Sequence, residues 1–280
     1  MLALRLAERH DGIIVNADSM QVYDILRVLT ARPPDEDLVR ATHRLYGHVP
    51  PSDPYSTGAW LRDVAALRET GAFDGRTPIF VGGTGLYFRA LTEGLAAMPD
   101  IPPAIRARWR ARLAEEGAGR LHRELAEQDA ATAATLQSAD GQRIVRALEV
   151  LEASGRSIRD WQRETGSPSV DAASARMIVM APERAALVNR IDTRLEKMME
   201  EGALDEVRQL AALDLPPSMP ATKAIGFREL QAVLEGKSTP AEAVERAKIA
   251  TRQYAKRQST WFRTQFGMQW QRVAEPGDVG

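Results

Sequence analysis

The sequence predicts an α/β fold in which a core with a parallel β-sheet is interrupted by a helical insertion. Residues 13–15 (Ile-Ile-Val) and 78–81 (Pro-Ile-Phe-Val) are short apolar runs typical of buried strands. The second run passes through the glycine turn 82–85 directly into a helical pattern, a succession typical of parallel α/β sheets. From 99 to 174, by contrast, Arg, Ala, Glu and Leu dominate and we predict no strand.

The remaining elements follow from local signals. Apolar residues at helical spacing predict a helix over 2–10, and Asp140 and Gly155 are suited to begin and end another. We also predict a strand at 177–180 and helices over 57–69, 86–95, 183–213, 226–236 and 240–265, with a proline-rich loop over 33–51. The predicted domains are an α/β core of 1–98 and 175–280 with basic C-terminal helices, and a helical insertion of 99–174.

Composition excludes several classes of protein. The chain has 280 residues with 37 Lys and Arg against 38 Asp and Glu, so its net charge is −1. The absence of cysteine excludes a disulfide scaffold, thiol catalysis and Cys-ligated metals, and it fits a reducing cytoplasm. No apolar run approaches the ~18–20 residues that span a bilayer, and the start lacks the pattern of a signal peptide. The four histidines form no metal-ligand pattern, so we predict no protein metal site.

Two polar side chains follow the two predicted core strands. Asp18 lies at the carboxyl end of the first strand, where open α/β sheets bind ligands, and a carboxylate there can accept a proton. Thr84 lies in the glycine turn after the second strand and is expected to point into the same crevice. The alternatives are an ordinary loop aspartate and a tight turn without a ligand.

Two basic segments are candidates for binding phosphate groups. Arg143 and Arg146 lie three residues apart in the first turns of the 140–155 helix, although pairing with Glu149 on a solvated face is an alternative. Residues 246–274 contain seven Lys or Arg, interleaved aromatic residues and no Asp or Glu. That run favours binding of nucleic acid or polyphosphate over a merely solvated face.

Five segments of the chain, in order and nearly end to end, resemble the bacterial tRNA dimethylallyltransferases. They are 16–23 (Asn-Ala-Asp-Ser-Met-Gln-Val-Tyr), 81–87 (Val-Gly-Gly-Thr-Gly-Leu-Tyr), 142–149 (Gln-Arg-Ile-Val-Arg-Ala-Leu-Glu), 223–228 (Lys-Ala-Ile-Gly-Phe-Arg) and 256–263 (Lys-Arg-Gln-Ser-Thr-Trp-Phe-Arg). Five matches in the family's order are far more specific than any one of them. The resemblance implies a core like that of the P-loop transferases. It also implies transfer of a dimethylallyl group from dimethylallyl diphosphate to N6 of the adenine 3′-adjacent to the anticodon.

The resemblance also implies roles for particular residues. Asp18 would be the general base or orienter for the N6 amine, and Thr84 would lie in the reaction channel. The diphosphate would contact Arg143, Arg146, Arg252 and Lys256. The implied tRNA contacts are Asp18, Ser19, Met20, Gln21, Arg106, Gln142, Arg143, Ile144, Val145, Arg146, Lys223, Ala224, Ile225, Gly226, Phe227, Arg228, Lys256, Arg257, Gln258, Ser259, Thr260, Trp261, Phe262 and Arg263.

One departure from the family concerns the start of the chain. The family begins with a strand and a phosphate loop, G-x-x-x-x-G-K-[ST], placed just before the helix at 2–10. We therefore expect either a truncated or misassigned start or a chemically inactive chain without its first strand. The resemblance further implies Mg²⁺ as a cofactor and a cytoplasmic monomer. It also implies an ATP-binding type of fold, although nothing in the sequence shows that ATP is a substrate. The alternatives are a non-catalytic tRNA-binding remnant and an adenylate prenyltransferase that acts on free nucleotides.

Overall fold

The structure, a computed structural model, describes residues 2–164 and 166–279 as two compact units. One unit comprises the chain up to Arg89 and from Val170 onward, and the other is Ala90–Ser169. The elements of the first half of the chain are α1 (Leu2–His10), β1 (Gly12–Asn16), α2 (Asp35–Arg40), β2 (Thr42–Arg44), α3 (Thr57–Glu69), β3 (Thr77–Val81), α4 (Gly85–Glu93), α5 (Pro103–Glu116), α6 (Ala118–Gln128) and α7 (Ala130–Ala133). The later elements are α8 (Gly141–Ser154), α9 (Ile158–Arg163), β4 (Met177–Met180), α10 (Arg184–Glu200), α11 (Ala203–Ala212), α12 (Phe227–Leu234), α13 (Pro240–Gln265) and β5 (Trp270–Val273).

The larger unit contains two parallel sheets. β1 is the central strand of a three-stranded sheet in the order β2-β1-β3, and Ile14 lies opposite His43 and Ile79. All five residues of β1 are buried, as its continuous apolar run predicts for a strand paired on both sides. At the edge of the same sheet, Thr77 and Pro78 of β3 are exposed. β4 and β5 form a separate two-stranded parallel sheet.

Helices α10 to α13 form the main hydrophobic core of this unit together with the segment that follows β1. Apolar side chains of α10 and α13 pack against Val22, Tyr23 and Leu26. Glu206 on α11 fixes the same segment, because its carboxylate accepts hydrogen bonds from the backbone N–H groups of residues 27, 28 and 29 at 2.6–3.0 Å. The residues that follow Asp18 are thereby fixed in place against the helices.

The smaller unit is helical. Helices α5, α6 and α8 meet around Trp109, Leu121, Leu125, Ile144 and Leu148, which are all buried. The Asp140 side chain accepts a hydrogen bond from the N–H of Arg143, and Gly155 ends α8 in the left-handed conformation at φ 65°. The predicted start and end of this helix are therefore confirmed.

Most predicted elements of the larger unit are also observed, with two exceptions. The predicted loop 33–51 contains α2 and the strand β2, and the strand β5 follows the last long helix. β2 is only three residues long, and none of its residues is fully buried, so it lacks the apolar run that identified β1.

Within the described residues, no helix is both long enough and apolar enough to cross a membrane.

Candidate active site at the end of the first strand

The turn after β1 is held by the buried side chain of Asn16. Its Oδ1 accepts a hydrogen bond from the backbone N–H of Asp18 at 2.9 Å, and its Nδ2 donates to the backbone carbonyls of Asp18 and Leu45 at 3.0 Å. The indole Nε1 of the buried Trp60 donates to the carbonyl oxygen of Asn16 at 2.7 Å. Because every polar group of Asn16 has a fixed partner, the position of Asp18 is fixed as well.

The carboxylate of Asp18 lies in an environment of opposing effects. Burial raises the pKa of Asp18, while the backbone N–H groups of Met20, Gln21 and Gly83 and the charge of Arg194 act to lower it. The Oδ1 of Asp18 accepts from the N–H of Met20 at 2.8 Å. Desolvation is the largest of these effects, so the pKa lies above its ordinary value of 3.8. A carboxylate with a raised pKa is a stronger proton acceptor.

The structure brings Thr84 to the same turn. The Oγ1 of Thr84 accepts a hydrogen bond from the backbone N–H of Ser19 at 2.9 Å and donates to the Oγ of Ser19 at 3.2 Å. The N–H of Thr84 donates to the carbonyl of Ala17 at 3.2 Å. A Cβ added to Gly82 would lie 2.1 Å from the backbone of Ala17, so only glycine allows this approach. The two predicted catalytic side chains therefore share one hydrogen-bonded turn.

Aromatic side chains surround the acidic turn. The pKa values of Tyr46, Tyr87 and Tyr254 are raised by burial and, to a smaller extent, by the negative charge of Asp18. The rings of Tyr87 and Trp60 are stacked, with centroids 4.5 Å apart. The site therefore combines one carboxylate with aromatic side chains nearby, of which Trp60 and Tyr87 are buried.

Sequence reasoning missed Arg194, which lies on α10. The side chain keeps some exposure to solvent, but partial desolvation lowers its pKa and the charge of Asp18 opposes that shift. Arg194 is the one cation whose charge acts on the pKa of Asp18 among the described residues. No local signal distinguishes it from the other arginines of α10, because its relation to Asp18 exists only in the folded chain.

The basic segment 246–274 is divided in the structure. Lys248 is buried and donates to Glu196 at 2.8 Å and to Glu245 at 2.7 Å, and Arg252 forms bidentate hydrogen bonds with Asp192 at 2.7 Å. The acidic partners from α10 were invisible in the sequence of the run itself. Towards the C-terminal end of α13, in contrast, exposed polar and basic side chains predominate: Lys256, Arg257, Ser259, Thr260 and Arg263.

Aromatic residues of the same run pack inside the protein. Trp270 is buried in β5 and stacks on Phe266 with ring centroids 3.9 Å apart, so it does not offer a stacking surface to a base. Trp261 and Phe262 are partly buried in the same cluster. Gln258 is also partly buried, and its Nε2 donates to the carbonyl of Gly83 at 2.9 Å.

The predicted tRNA contacts at 223–228 surround a cavity of about 240 Å³. Among the residues that line it, Lys223 and Arg228 are exposed. The other lining residues are Thr222, Ala224, Ile225, Glu229 and Ala250. Ala224 and Phe227 are buried side chains of the main core, so only their backbone remains for a ligand. Gly226 adopts a φ of 95° at the start of α12, a conformation that favours glycine.

Two further predicted contacts follow β1. Gln21 donates its Nε2 to the carbonyls of residues 30 and 31, at 2.8 and 3.2 Å, and so supports the same segment that Glu206 holds. Met20 is partly buried against the main core. Both side chains therefore already have contacts within the folded chain.

The smaller unit contains the other predicted contacts. Arg106 lies on α5, and Gln142 and Arg143 lie in the first turn of α8. The Arg143 guanidinium is 3.4 Å from Asp140, and that of Arg146 is 3.5 Å from Glu149, which is the pairing named above as the alternative. The remaining two predicted contacts have buried side chains and form part of the core of this unit: Ile144 and Val145.

The described residues do not fit a magnesium site of their own. Among residues 2–164 and 166–279 there is no group of three or more His, Asp or Glu side chains placed to hold a metal ion. Asp18 supplies a single carboxylate, with only the hydroxyls of Ser19 and Thr84 beside it. We therefore derive no chemical step through a metal held by this chain.

Comparison with known proteins identifies the family of this chain. The family model described as IPP transferase matches residues 21–265. The tRNA dimethylallyltransferase of Mesorhizobium japonicum is 61% identical over 99% of this chain and 86% of the relative. That of a Chelativorans species is 60% identical over 97% of this chain and 93% of the relative.

Solved structures give the same result. A full-length tRNA isopentenylpyrophosphate transferase from Bacillus halodurans is 30% identical, covers 98% of this chain and 84% of its own, and superposes with a TM-score of 0.67. A eukaryotic dimethylallyltransferase acting on tRNA is 26% identical, covers 93% of this chain and 66% of its own, and gives a TM-score of 0.75. The chain therefore belongs to the IPP transferase family, whose members include the tRNA dimethylallyltransferases.

Proposed function

We propose that this chain transfers a dimethylallyl group from dimethylallyl diphosphate to N6 of the adenine 3′-adjacent to the anticodon in tRNA. The observation that carries the proposal is the 61% identity to a tRNA dimethylallyltransferase over 99% of this chain. It is supported by a carboxylate of raised pKa, Asp18, at the end of the central strand. We expect the chain to act on tRNA in the cytoplasm as a monomer.

The proposed reaction is a substitution at the first carbon of the allyl group. A bond forms between N6 of adenine and C1, the bond between C1 and the diphosphate oxygen breaks, and its electron pair leaves with the diphosphate. The proton that N6 loses passes to the carboxylate of Asp18. An exocyclic amine is a weak nucleophile, so Asp18 and Thr84 would contribute mainly by holding it in line with C1.

The aromatic side chains near Asp18 would exclude water, which would otherwise compete with N6 for the allyl group. The target base must leave its stack to reach Asp18, as in other enzymes that act on a base. Arg194 is suited to attract the diphosphate, since it is the cation whose charge acts on Asp18. The described residues do not form a magnesium site, so no step is assigned to a metal held by this chain.

The cations outside this turn are candidates for the tRNA backbone. We propose phosphate contacts for Lys223 and Arg228 at the cavity and for the exposed cations of α13, since exposed Lys and Arg neutralise phosphates. Arg106, Arg143 and Arg146 remain candidates in the smaller unit. Lys256, which the resemblance assigns to the diphosphate, is exposed on α13 and belongs with these candidates for contacts to the tRNA backbone.

The test is a search for the product nucleoside. The chain is incubated with dimethylallyl diphosphate, Mg²⁺ and unmodified tRNA, the tRNA is digested, and N6-dimethylallyladenosine is sought by mass spectrometry. A parallel reaction uses the chain extended upstream by the strand and phosphate loop of the family. Product from the chain as given supports the proposal, whereas product from the extended form alone would mean that the transfer needs the upstream strand and phosphate loop. Binding of tRNA without product from either form would favour a non-catalytic tRNA-binding protein, and turnover of free AMP would favour an adenylate prenyltransferase.

A further inference from the structure

The glycine turn 82–85 lies between the end of β1 on one side and α13 on the other. On the β1 side, the N–H of Thr84 donates to Ala17, and its hydroxyl binds Ser19. A Cβ added to Gly83 would lie 3.1 Å from Oδ2 of Asp18. The turn is therefore in direct contact with the catalytic carboxylate.

On the other side, two residues of α13 contact the turn. Gln258 donates its Nε2 to the carbonyl of Gly83 at 2.9 Å, and a Cβ added to Gly83 would lie 2.4 Å from the same nitrogen. A Cβ added to Gly85 would lie 2.0 Å from the ring of Trp261. Gln258 and Trp261 are three residues apart, so they lie on one face of the helix.

Tyr254 lies on the same face of the helix. Tyr254 precedes Gln258 by four residues and therefore lies above it on α13. Burial raises the pKa of Tyr254, and the charge of Asp18 adds to that shift. Two residues of this helix face, Gln258 and Trp261, therefore contact the turn, and the partly exposed Tyr254 lies one helical turn before Gln258.

Other side chains of the same part of α13 are directed away from the turn. Lys256, Arg257, Ser259, Thr260 and Arg263 are exposed. Any polyanion bound by these residues would contact a helix whose opposite side holds the carbonyl of Gly83. A single helix therefore connects the proposed RNA surface to the proposed catalytic turn.

We infer that Gln258 and Trp261 are positioning residues that hold the 82–85 turn against Asp18, rather than contacts to tRNA. The inference rests on the proposed function and deepens it, because it divides the segment 256–263 into an outer face for RNA and an inner face for catalysis. Gln258 acts through Gly83 and touches no reacting atom, so its loss misplaces Asp18 and Thr84 without removing a phosphate contact.

The first experiment compares Gln258→Leu with Gln253→Leu, because Gln253 is an exposed glutamine of the same helix. In Gln258→Leu we expect kcat to fall about tenfold or more, since small displacements of reacting groups cost large factors in rate. The KM and Kd for tRNA should stay within about twofold of the parent, as for a group that does not bind substrate. The control Gln253→Leu should leave kcat, KM and Kd unchanged.

Amide hydrogen exchange supplies a readout that does not depend on turnover. Exchange in peptides covering residues 82–87 should accelerate about fivefold in Gln258→Leu, because the turn loses one of its hydrogen bonds. Gln258→Glu should behave alike, since a carboxylate of the same size cannot donate to the carbonyl of Gly83. Gly83→Ala should displace the Gln258 amide as well, and it should lower kcat at least as much as Gln258→Leu because its Cβ would also lie 3.1 Å from Oδ2 of Asp18.

Two outcomes would overturn the inference. One is a weaker tRNA affinity in Gln258→Leu with kcat and exchange unchanged, which would make Gln258 a tRNA contact. The other is an unchanged exchange rate with unchanged kinetics in Gln258→Leu, which would show that Gln258 does not position the turn. The parent chain could form no product, with or without the upstream extension, while Gln258→Leu still accelerates exchange. In that case the proposed function is wrong, but Gln258 does stabilise the turn.

Discussion

The turn at Asp18 and the exposed end of α13 represent opposite ways of presenting polar groups. At the turn, the side chains of Asn16, Ser19 and Thr84 all have hydrogen-bond partners within the protein, and burial raises the pKa of Asp18. On α13, Lys256 and Arg263 extend into solvent. Fixed, desolvated groups favour chemistry on one bond, whereas solvated flexible cations favour attraction to a polyanion.

Mutations in the two regions should therefore affect kcat and tRNA affinity differently. Substitutions at the turn should lower kcat and leave tRNA affinity nearly unchanged. Substitutions at the exposed cations should weaken tRNA binding in a salt-dependent manner and leave kcat at saturation nearly unchanged.

The largest effect is expected for Asp18→Asn. Loss of a general base should lower kcat about 100-fold or more, while tRNA affinity should change little. Mass spectrometry of the digested tRNA under single-turnover conditions measures the loss. Asp100→Asn serves as the control, because Asp100 is exposed and lies outside the turn. An active Asp18→Asn variant would remove Asp18 from the catalytic role.

The same variant has a pH signature in stability. Because folding raises the pKa of Asp18, the folded state binds this proton more tightly than the unfolded chain does. The contribution of Asp18 to the free energy of unfolding is therefore greatest at low pH and falls as pH rises through the raised pKa. Chemical denaturation at several pH values above 3.8 should show Asp18→Asn gaining stability relative to the parent as pH increases. A constant difference would contradict the burial of this carboxylate.

The contrast between the two regions also explains what could be read from the sequence. β1, the glycine turn and both ends of α8 carry local signals, namely an apolar run, glycines and capping residues, and all were predicted. Asp18 and Thr84 were predicted to share a crevice from their positions after the two core strands, the resemblance implied their roles, and the structure puts them on one hydrogen-bonded turn. β2 carried too few apolar residues to be recognised as a strand.

The missed features depend on partners far away in the chain. The run 246–274 contains no acidic residue, so the sequence suggested one unpaired basic surface. In the folded chain, Glu196 and Asp192 of α10 reach Lys248 and Arg252. Arg194 was missed for the same reason, because helix α10 alone does not reveal that this residue faces Asp18. Local patterns identify elements, whereas charge pairing is decided by tertiary packing.

A smaller effect is expected at the exposed cations of α13. The combined variant Lys256→Ala, Arg257→Ala and Arg263→Ala should bind tRNA about tenfold or more weakly and should reduce the slope of log Kd against log salt by about three, roughly one per phosphate contact. Filter binding or fluorescence anisotropy over a salt series measures both quantities. At saturating tRNA, kcat should stay close to that of the parent.

The matched control removes three cations elsewhere. Lys197, Arg208 and Lys237 are exposed on α10, on α11 and after α12, and each is paired with a nearby carboxylate. Their combined change to Ala lowers the net charge by the same amount but should leave the salt slope unchanged. An equal loss of affinity in both variants would mean that tRNA responds to total charge and not to this end of α13.

The smallest effect concerns Arg252, which the family resemblance assigns to the diphosphate but which also binds Asp192. A double-mutant cycle with Arg252→Ala and Asp192→Ala should give a coupling free energy of unfolding of about 0.5–1 kcal/mol, as for partly exposed ion pairs. If Arg252 serves only to join α10 and α13, the KM for dimethylallyl diphosphate should respond equally weakly to both single changes. If Arg252 binds diphosphate, Arg252→Ala should raise that KM about tenfold while Asp192→Ala leaves it unchanged or lowers it. Because the bidentate contact already satisfies the guanidinium within the protein, we expect the first result.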